Sequence, residues 1–145
     1  MRGPVQSVEV SYFVHATEDP VKLSTAVSAM FSVSTPPDEE KMEGHHGNPI
    51  TRIKYHITGD AAAVVLTRVS KKLDAATKQE LARSLGDLLD RHSDLYLRFD
   101  KQRLVEGSLT GGIADAVRVK VKLRGYLARG DIIDFYSQIL AAGGP

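Results

Sequence analysis

The amino-acid sequence predicts an α+β fold, with a mainly antiparallel sheet and helices packed on one of its faces. Three observations support this fold class. Several segments alternate apolar and polar residues with a period of two, which is typical of half-buried strands. Other segments carry apolar residues at helical spacing. The last strands follow one another through short loops, which favours antiparallel pairing.

Length and composition favour one globular domain over residues 1–145, because a chain of this size is in the usual range for a single domain. The sequence has no cysteine, which excludes disulfides and thiolate zinc ligands. The longest purely apolar run, over residues 61–66, is far shorter than the ~20 residues that span a bilayer. We therefore expect a cytoplasmic protein without a membrane-spanning segment.

The first half of the chain predicts two strands and a helix. Residues 5–15 alternate as a half-buried strand. A Thr or Asp cap beside Pro20 opens a helix that ends near Phe31. Residues 34–43 are polar, contain paired prolines and have an acidic excess, so they predict a loop. Residues 50–58 alternate again and predict the second strand.

The second half predicts three helices and three strands. In order, we expect helices over 61–73 and after an Asp74 cap, strands over 94–99 and 102–106, a loop over 107–112, a strand over 116–124, and a helix from Gly130 to Gly143. The element order is therefore β-α-β-α-α-β-β-β-α. Such an order leaves one face of an antiparallel sheet exposed to water.

The most regular strand pattern is over residues 117–124, where apolar residues occupy every second position. The alternate positions carry four cations and no acid, namely Arg118, Lys120, Lys122 and Arg124. Side chains two residues apart on a strand lie ~6.6–7 Å apart on the same face. The pattern therefore predicts a row of positive charges on the solvent face of the sheet.

Two other strands carry shorter basic rows. Arg52, Lys54 and His56 alternate on one strand, and Arg98 lies two residues from Tyr96 on another. Rows of cations neutralise phosphates and release counterions, and an aromatic ring can stack on an unpaired base. The alternative is a solvated sheet face or a lysine-protected edge. The lack of balancing acids at alternate positions favours a polyanion-binding surface.

Residues 44–49, with the sequence GHHGNP, form a second candidate feature. The glycines permit close backbone approach, and Asn48 before proline favours a defined turn. His45, His46 and Asn48 could present imidazoles and amides to a phosphate or a ribose. The alternatives are a rigid connection with buried histidines and a zinc site. Zinc is disfavoured because adjacent histidines rarely chelate one ion and no further ligands complete the set.

The apolar alternation breaks after Phe99, which predicts a bulge or tight turn with Asp100 bonded to local backbone. Lys101 and Gln102 follow, and an amide can donate to and accept from a 2′-hydroxyl. The alternative is a metal-dependent nuclease that uses Asp100 with Asp115 or Glu106, but no clustered carboxylate motif supports it. The sequence has no phosphate-binding or dinucleotide-binding glycine motif, so we expect no cofactor.

The segments FVHATEDPVKL, GHHGNPI and LYLRFDKQ, followed by the basic strand, resemble an archaeal family of RNA-binding proteins that are also described as predicted exosome subunits. The resemblance runs from about Val8 to Leu123, with the motifs in the expected order. It implies an α+β fold similar to that of a ribosomal RNA-binding protein, an RNA ligand and an archaeal cytoplasm.

Our first hypothesis is a non-catalytic protein that binds structured or double-stranded RNA. The predicted RNA-binding residues are Arg52, Lys54, Arg98, Arg118, Lys120, Lys122, Arg124, Lys101, Gln102, His45, His46 and Asn48. We expect the 44–49 and 100–102 segments to meet at one end of the sheet. The alternatives are an assembly subunit, either a homodimer or an exosome partner, and a metal-dependent RNA-processing enzyme that uses His45, His46 and Asp100.

Overall fold

A five-stranded antiparallel sheet with the strand order β2-β3-β1-β5-β4 organises the described residues, which are 5–92, 94–112, 114–125 and 128–142 of the computed structural model. The elements are β1 (Val5–His15), α1 (Pro20–Phe31), β2 (Asp38–Glu43), β3 (Pro49–Thr58), α2 (Gly59–Lys72), α3 (Ala75–Leu88), β4 (Leu95–Asp100), α4 (Lys101–Val105), β5 (Ala116–Leu123) and α5 (Arg129–Ala142). Each pair of neighbouring strands is antiparallel. The predicted α+β class is confirmed.

The hydrophobic core lies between one face of the sheet and the helices. Val8, Val10 and Tyr12 of β1 are buried, and Val10 and Val8 pair with Val119 and Val121 of β5. Helix residues in the same cluster include Leu23, Val27, Val65, Val69, Leu85 and Tyr136. Because the period-two pattern assigns most apolar side chains to this layer, the opposite face of the sheet is left mainly to polar side chains.

Asp side chains begin two of the helices, as the sequence predicts. Asp19 accepts hydrogen bonds from the backbone amides of Val21 (3.0 Å) and Lys22 (3.3 Å), with Pro20 in the first turn. Asp74 accepts from the amide of Thr77 at 2.7 Å. These bonds satisfy amides that have no partner within the helix, which is why both helices start at these positions.

Two of the predicted elements are wrong. Residues 38–43 form the edge strand β2 rather than part of a loop, and they pair with β3 from Glu43 and Pro49 to Asp38 and Lys54. An edge strand with both faces largely exposed needs no apolar alternation, so the pattern gave no signal. Residues 102–106 are not a strand, because the Asp100 carboxylate caps α4 through the amide of Arg103 (2.8 Å).

The ends of the basic strand and the last helix also differ from expectation. β5 ends at Leu123, so Arg124 follows the strand, and its place in the cation row stays a prediction. The row therefore has three members within β5. The predicted end of the last helix at Gly143 lies outside the described residues.

The segment after α4 covers the outer edge of β4. Phe99 forms an antiparallel bridge with Gly111, and the Gly112 amide donates to the Arg98 carbonyl at 3.1 Å. A Cβ atom at Gly112 would lie 2.7 Å from the backbone nitrogen of Asp100, so this close approach requires glycine. Among the described helices, none has the length and apolar character needed to cross a bilayer.

Candidate nucleic-acid interface

The sheet face opposite the helices brings the basic rows of three strands together. Ser11 of β1 pairs with Lys54 of β3 on one side and with Arg118 of β5 on the other. Arg118 in turn pairs with Arg98 of β4. One rung of the sheet thus carries three cations across four strands. Arg98 and Arg118 are exposed, so their guanidinium groups are accessible to solvent.

The next rung places Lys120 between a carboxylate and an aromatic ring. Its Nζ atom lies 5.6 Å from the centre of the Tyr96 ring and 3.8 Å from Asp94 Oδ2. Partial burial by itself lowers the pKa of Lys120, but Tyr96, Glu9 and Asp94 together raise it above its ordinary value. Lys120 therefore stays protonated well above neutral pH. Cation–π contact fixes its position on the face.

We define the cationic face by six residues, listed here by strand: Arg52 and Lys54 on β3, Arg98 on β4, and Arg118, Lys120 and Lys122 on β5. The expectation that these rows share one face agrees with the pairing register. Acidic side chains lie at the β2 edge, where Glu40 pairs with Arg52 and Asp38 with Lys54. At ~4.8 Å per strand the sheet is about 19 Å wide.

The GHHGNP segment is a tight connection between β2 and β3. The Gly44 amide donates to the Asn48 carbonyl at 2.6 Å, and the Gly47 amide donates to the Gly44 carbonyl at 3.0 Å. A Cβ atom at Gly44 would lie 2.7 Å from Asn48 Oδ1, so a larger residue here would displace the exposed Asn48 side chain. His45, His46 and Asn48 are exposed, so the alternative of a rigid turn with buried histidines is wrong as to burial.

The three residues at the turn after β4, Asp100, Lys101 and Gln102, have different surroundings and therefore different roles. Asp100 bonds local backbone, as expected, through the cap of α4. Gln102 is exposed. Lys101 is only 5% exposed, so the expectation that it extends the cation row is wrong. Its charge is taken up by protein groups, and the ammonium is not available to a phosphate.

The buried Lys101 is the centre of a cluster of hydrogen bonds and ion pairs with partly exposed partners. Its Nζ atom donates to the Phe13 carbonyl oxygen at 2.7 Å and to Glu18 Oε1 at 2.9 Å, and it lies 3.0 Å from Asp115 Oδ1. His15 Nε2 contacts the same Asp115 oxygen at 3.2 Å. Although partial burial alone would raise it, contacts with Lys101 and His15 lower the pKa of the Asp115 carboxyl.

The sequence pattern did not predict that Lys101 would pair with Glu18 and Asp115. The available signal is that Glu18 and Lys101 lie inside FVHATEDPVKL and LYLRFDKQ, two of the segments on which the family resemblance rests. The structure explains why both segments matter together, because an internal cation from one compensates the carboxylate of the other.

Among the described residues, His15, Glu18 and Asp115 also have the ligand types and spacing of a metal site, with donor atoms within 4.8 Å of one another. The Lys101 ammonium, however, lies within 3.0 Å of both carboxylates. A dication would have to displace a paired cation from this position. The cluster is therefore better described as an ion-pair network than as a metal centre.

Both candidate segments lie at the same end of the sheet. Ile50 near the start of β3 pairs with His15 at the end of β1, while Asp100 at the end of β4 pairs with Ala116 at the start of β5. β3 and β4 are separated by β1 and β5, which amounts to about 14 Å at ~4.8 Å per strand. A single shared site for the two segments stays a prediction, now without Lys101.

The structure is thus an α+β domain with helices on one sheet face and six cations on the other, and rows of cations can neutralise the phosphates of a polyanion. A family model described as RNA binding matches residues 7–123. The chain belongs to this RNA-binding family.

Two archaeal relatives and a solved structure show the same similarity. The chain is 26% identical over 135 residues to RNA-binding protein PAB1135 of Pyrococcus abyssi, covering 87% of this chain and 88% of that one. It is 31% identical over 112 residues to uncharacterized protein MJ0213 of Methanocaldococcus jannaschii, covering 71% of this chain and 73% of that one. The structure of Mth689, a DUF54 protein from Methanothermobacter thermautotrophicus, superposes with a TM-score of 0.79 at 27% identity, covering 95% and 99%.

Proposed function

We propose that this protein binds structured or double-stranded RNA without catalysis, and that the cationic face holds the phosphate backbone. The observation that carries the proposal is the convergence of six cations from three strands on the helix-free face. Each cation that neutralises a phosphate releases counterions, which is the main source of affinity for a polyanion.

Because the chain belongs to an RNA-binding family, we propose RNA as the polyanion that the cationic face binds. The cationic face is about 14 Å wide from β3 to β4, at ~4.8 Å per strand, so cations on these two strands can contact different phosphate backbones of a folded RNA. Because phosphates carry no sequence information, such binding depends on the shape of the RNA and on its 2′-hydroxyls.

The proposal is tested by the salt dependence of binding to a labelled RNA hairpin, measured by fluorescence anisotropy. If all six cations neutralise a phosphate, log K against log salt has a slope of about −4 to −5. The same hairpin incubated with the protein and Mg²⁺ or Zn²⁺ stays intact on a denaturing gel. A slope near zero contradicts the assignment of the face, and cleavage contradicts the absence of catalysis.

Gln102→Ala is expected to weaken binding to an RNA hairpin by roughly 2- to 10-fold, the effect of one hydrogen bond. The loss should be smaller on the DNA hairpin of the same sequence, since the exposed amide would contact a 2′-hydroxyl that DNA lacks. Gln79→Ala, which removes an exposed amide from α3, is the matched control. Equal losses on RNA and DNA would contradict a 2′-hydroxyl contact.

A role in assembly, either as a homodimer or as an exosome partner, is a second proposal and is supported by a different surface. β2 is at the edge of the sheet and carries four acids and one lysine in Asp38–Glu43. An exposed strand edge can pair with another chain, and acids select a basic partner. Sedimentation at several protein concentrations separates the homodimer from a heterologous partner.

A further inference from the structure

The two central strands of the sheet separate at one end. Pairing between β1 and β5 extends to Ser11 and Arg118, but β1 continues to His15 alongside β3 and β5 begins at Ala116 alongside β4. The Phe13 carbonyl accepts a hydrogen bond from Lys101 Nζ at 2.7 Å. The buried ammonium thus takes the place of a strand partner and keeps the gap open.

A hollow of about 220 Å³ lies at this gap. It is lined by Ser11, Tyr12, Phe13, Arg52, Ala116 and Arg118. The small side chains of Ser11 and Ala116 leave the space, and Arg52 is directly opposite Phe13 in the β1–β3 register. The residues that line this depression therefore include two arginines, Arg52 and Arg118, and Phe13, all at positions of the open face.

Phe13 is unusual for its position. Its neighbours on the open face of β1 are Glu9, Ser11 and His15, which are polar. Phe13 is half-buried like these residues, but its side chain is an apolar ring. An aromatic ring on a solvated sheet face contributes little to the core but offers a flat apolar surface. The alternation of Val10, Tyr12 and Val14 already places Phe13 on the open face, but a pattern within one strand does not show that a hollow lies beside it.

We propose that this hollow binds one unpaired nucleotide of the RNA, with its base stacked on Phe13 and the adjoining phosphates held by Arg52 and Arg118. This inference rests on the proposed function, and it assigns the recognition of an unpaired nucleotide to one place on the cationic face. Every base has a π face, and a base in a bulge or loop can leave its stack. Guanidinium groups match phosphate geometry through paired N–H donors.

The first test compares a fully paired RNA hairpin with one that carries a single-nucleotide bulge. Wild-type protein is expected to bind the bulged hairpin more tightly. Phe13→Leu keeps apolar volume and removes the π face, so binding to the bulged RNA should fall ~5- to 150-fold and the two hairpins should become equivalent. Phe135→Leu, which removes a half-buried ring from α5 on the helix side of the sheet, is the matched control and should retain the preference.

The second test uses a fluorescent reporter. The sequence has no tryptophan, so Phe13→Trp places a single indole in the hollow. Its emission should be quenched by a bulged hairpin that carries 5-bromouridine at the bulge, while an indole placed on the helix side by Phe135→Trp should be quenched much less. Because Trp retains the π face, Phe13→Trp should bind the bulged RNA at least as tightly as wild type.

Wild-type protein supplies a readout that does not depend on the folding of any variant. With 5-iodouridine at the bulge, ultraviolet light should crosslink the RNA to the tryptic peptide of residues 3–22, which contains Phe13. Crosslinking to other peptides alone, or an unchanged bulge preference in a folded Phe13→Leu variant, would overturn the subsite. In that case the salt slope would still support RNA binding by the cationic face. A protein that binds neither hairpin would overturn both.

Discussion

Replacing Arg98, Arg118 and Lys122 together with glutamine is expected to reduce the affinity for an RNA hairpin roughly 100-fold at 0.1 M salt. Three lost phosphate contacts should flatten the slope of log K against log salt by about 2 to 3. These three side chains are exposed, whereas Lys120 compensates the buried Asp94 and is therefore left in place. Anisotropy titrations at salt concentrations between about 0.05 and 0.5 M measure both the affinity and the salt slope, because charge screening increases over this range.

The matched control removes the same number of charges from the helix side. Lys71, Lys72 and Arg83 are exposed on α2 and α3. Their replacement with glutamine changes the net charge equally but removes no cation from the cationic face. A similar loss in both triple variants would show that net charge rather than the sheet face determines affinity, and would contradict the interface.

Lys101→Met is expected to lower the free energy of unfolding by about 2–3 kcal/mol. The substitution keeps the length of the side chain but leaves the Phe13 carbonyl and two carboxylates without the ammonium. Breaking a fully buried pair costs ~3–5 kcal/mol, and partial exposure of Glu18 and Asp115 reduces this figure. The melting temperature should fall by roughly 5–10 °C.

The difference between Lys101→Met and wild type should depend on pH. Since the pKa of Asp115 is lowered in the folded protein, its contribution is present above the ordinary value of ~3.9 and is lost as the pH falls through the folded value. The destabilisation should therefore be largest near neutral pH and shrink below about pH 4. Lys71→Met, at an exposed position, is the control. A pH-independent difference would contradict the ion-pair account.

The alternation of β5 shows what sequence alone could predict. Its apolar residues at every second position determine both the strand and the orientation of its cations, because the pleat places successive side chains on opposite faces. The same reasoning applies to Arg52 and Lys54 on β3. Most of the cationic face is therefore contained in local patterns, and so is the α+β class.

β2 and α4 show where local patterns fail. Asp38–Glu43 has no apolar face. It forms a strand because its backbone pairs with β3, and β3 lies outside the segment whose pattern was used for the prediction. α4 follows a strand with no loop between them, and the Asp100 cap rather than periodicity decides where the chain turns. Tertiary pairing and a single side-chain bond overrode the weak local signals.

By itself, the sequence determined most of the strands and helices, apart from β2 and α4, and the side of the sheet on which each basic row lies, since these follow from residue spacing along one segment. Only the tertiary structure decided that Lys101 is buried and pairs with Glu18 and Asp115, and that Phe13 borders a hollow between Arg52 and Arg118. The physical reason is that these contacts join residues from different strands and turns. Whether a lysine meets a phosphate or a carboxylate depends on which segments become neighbours, and no periodicity within one segment contains that information.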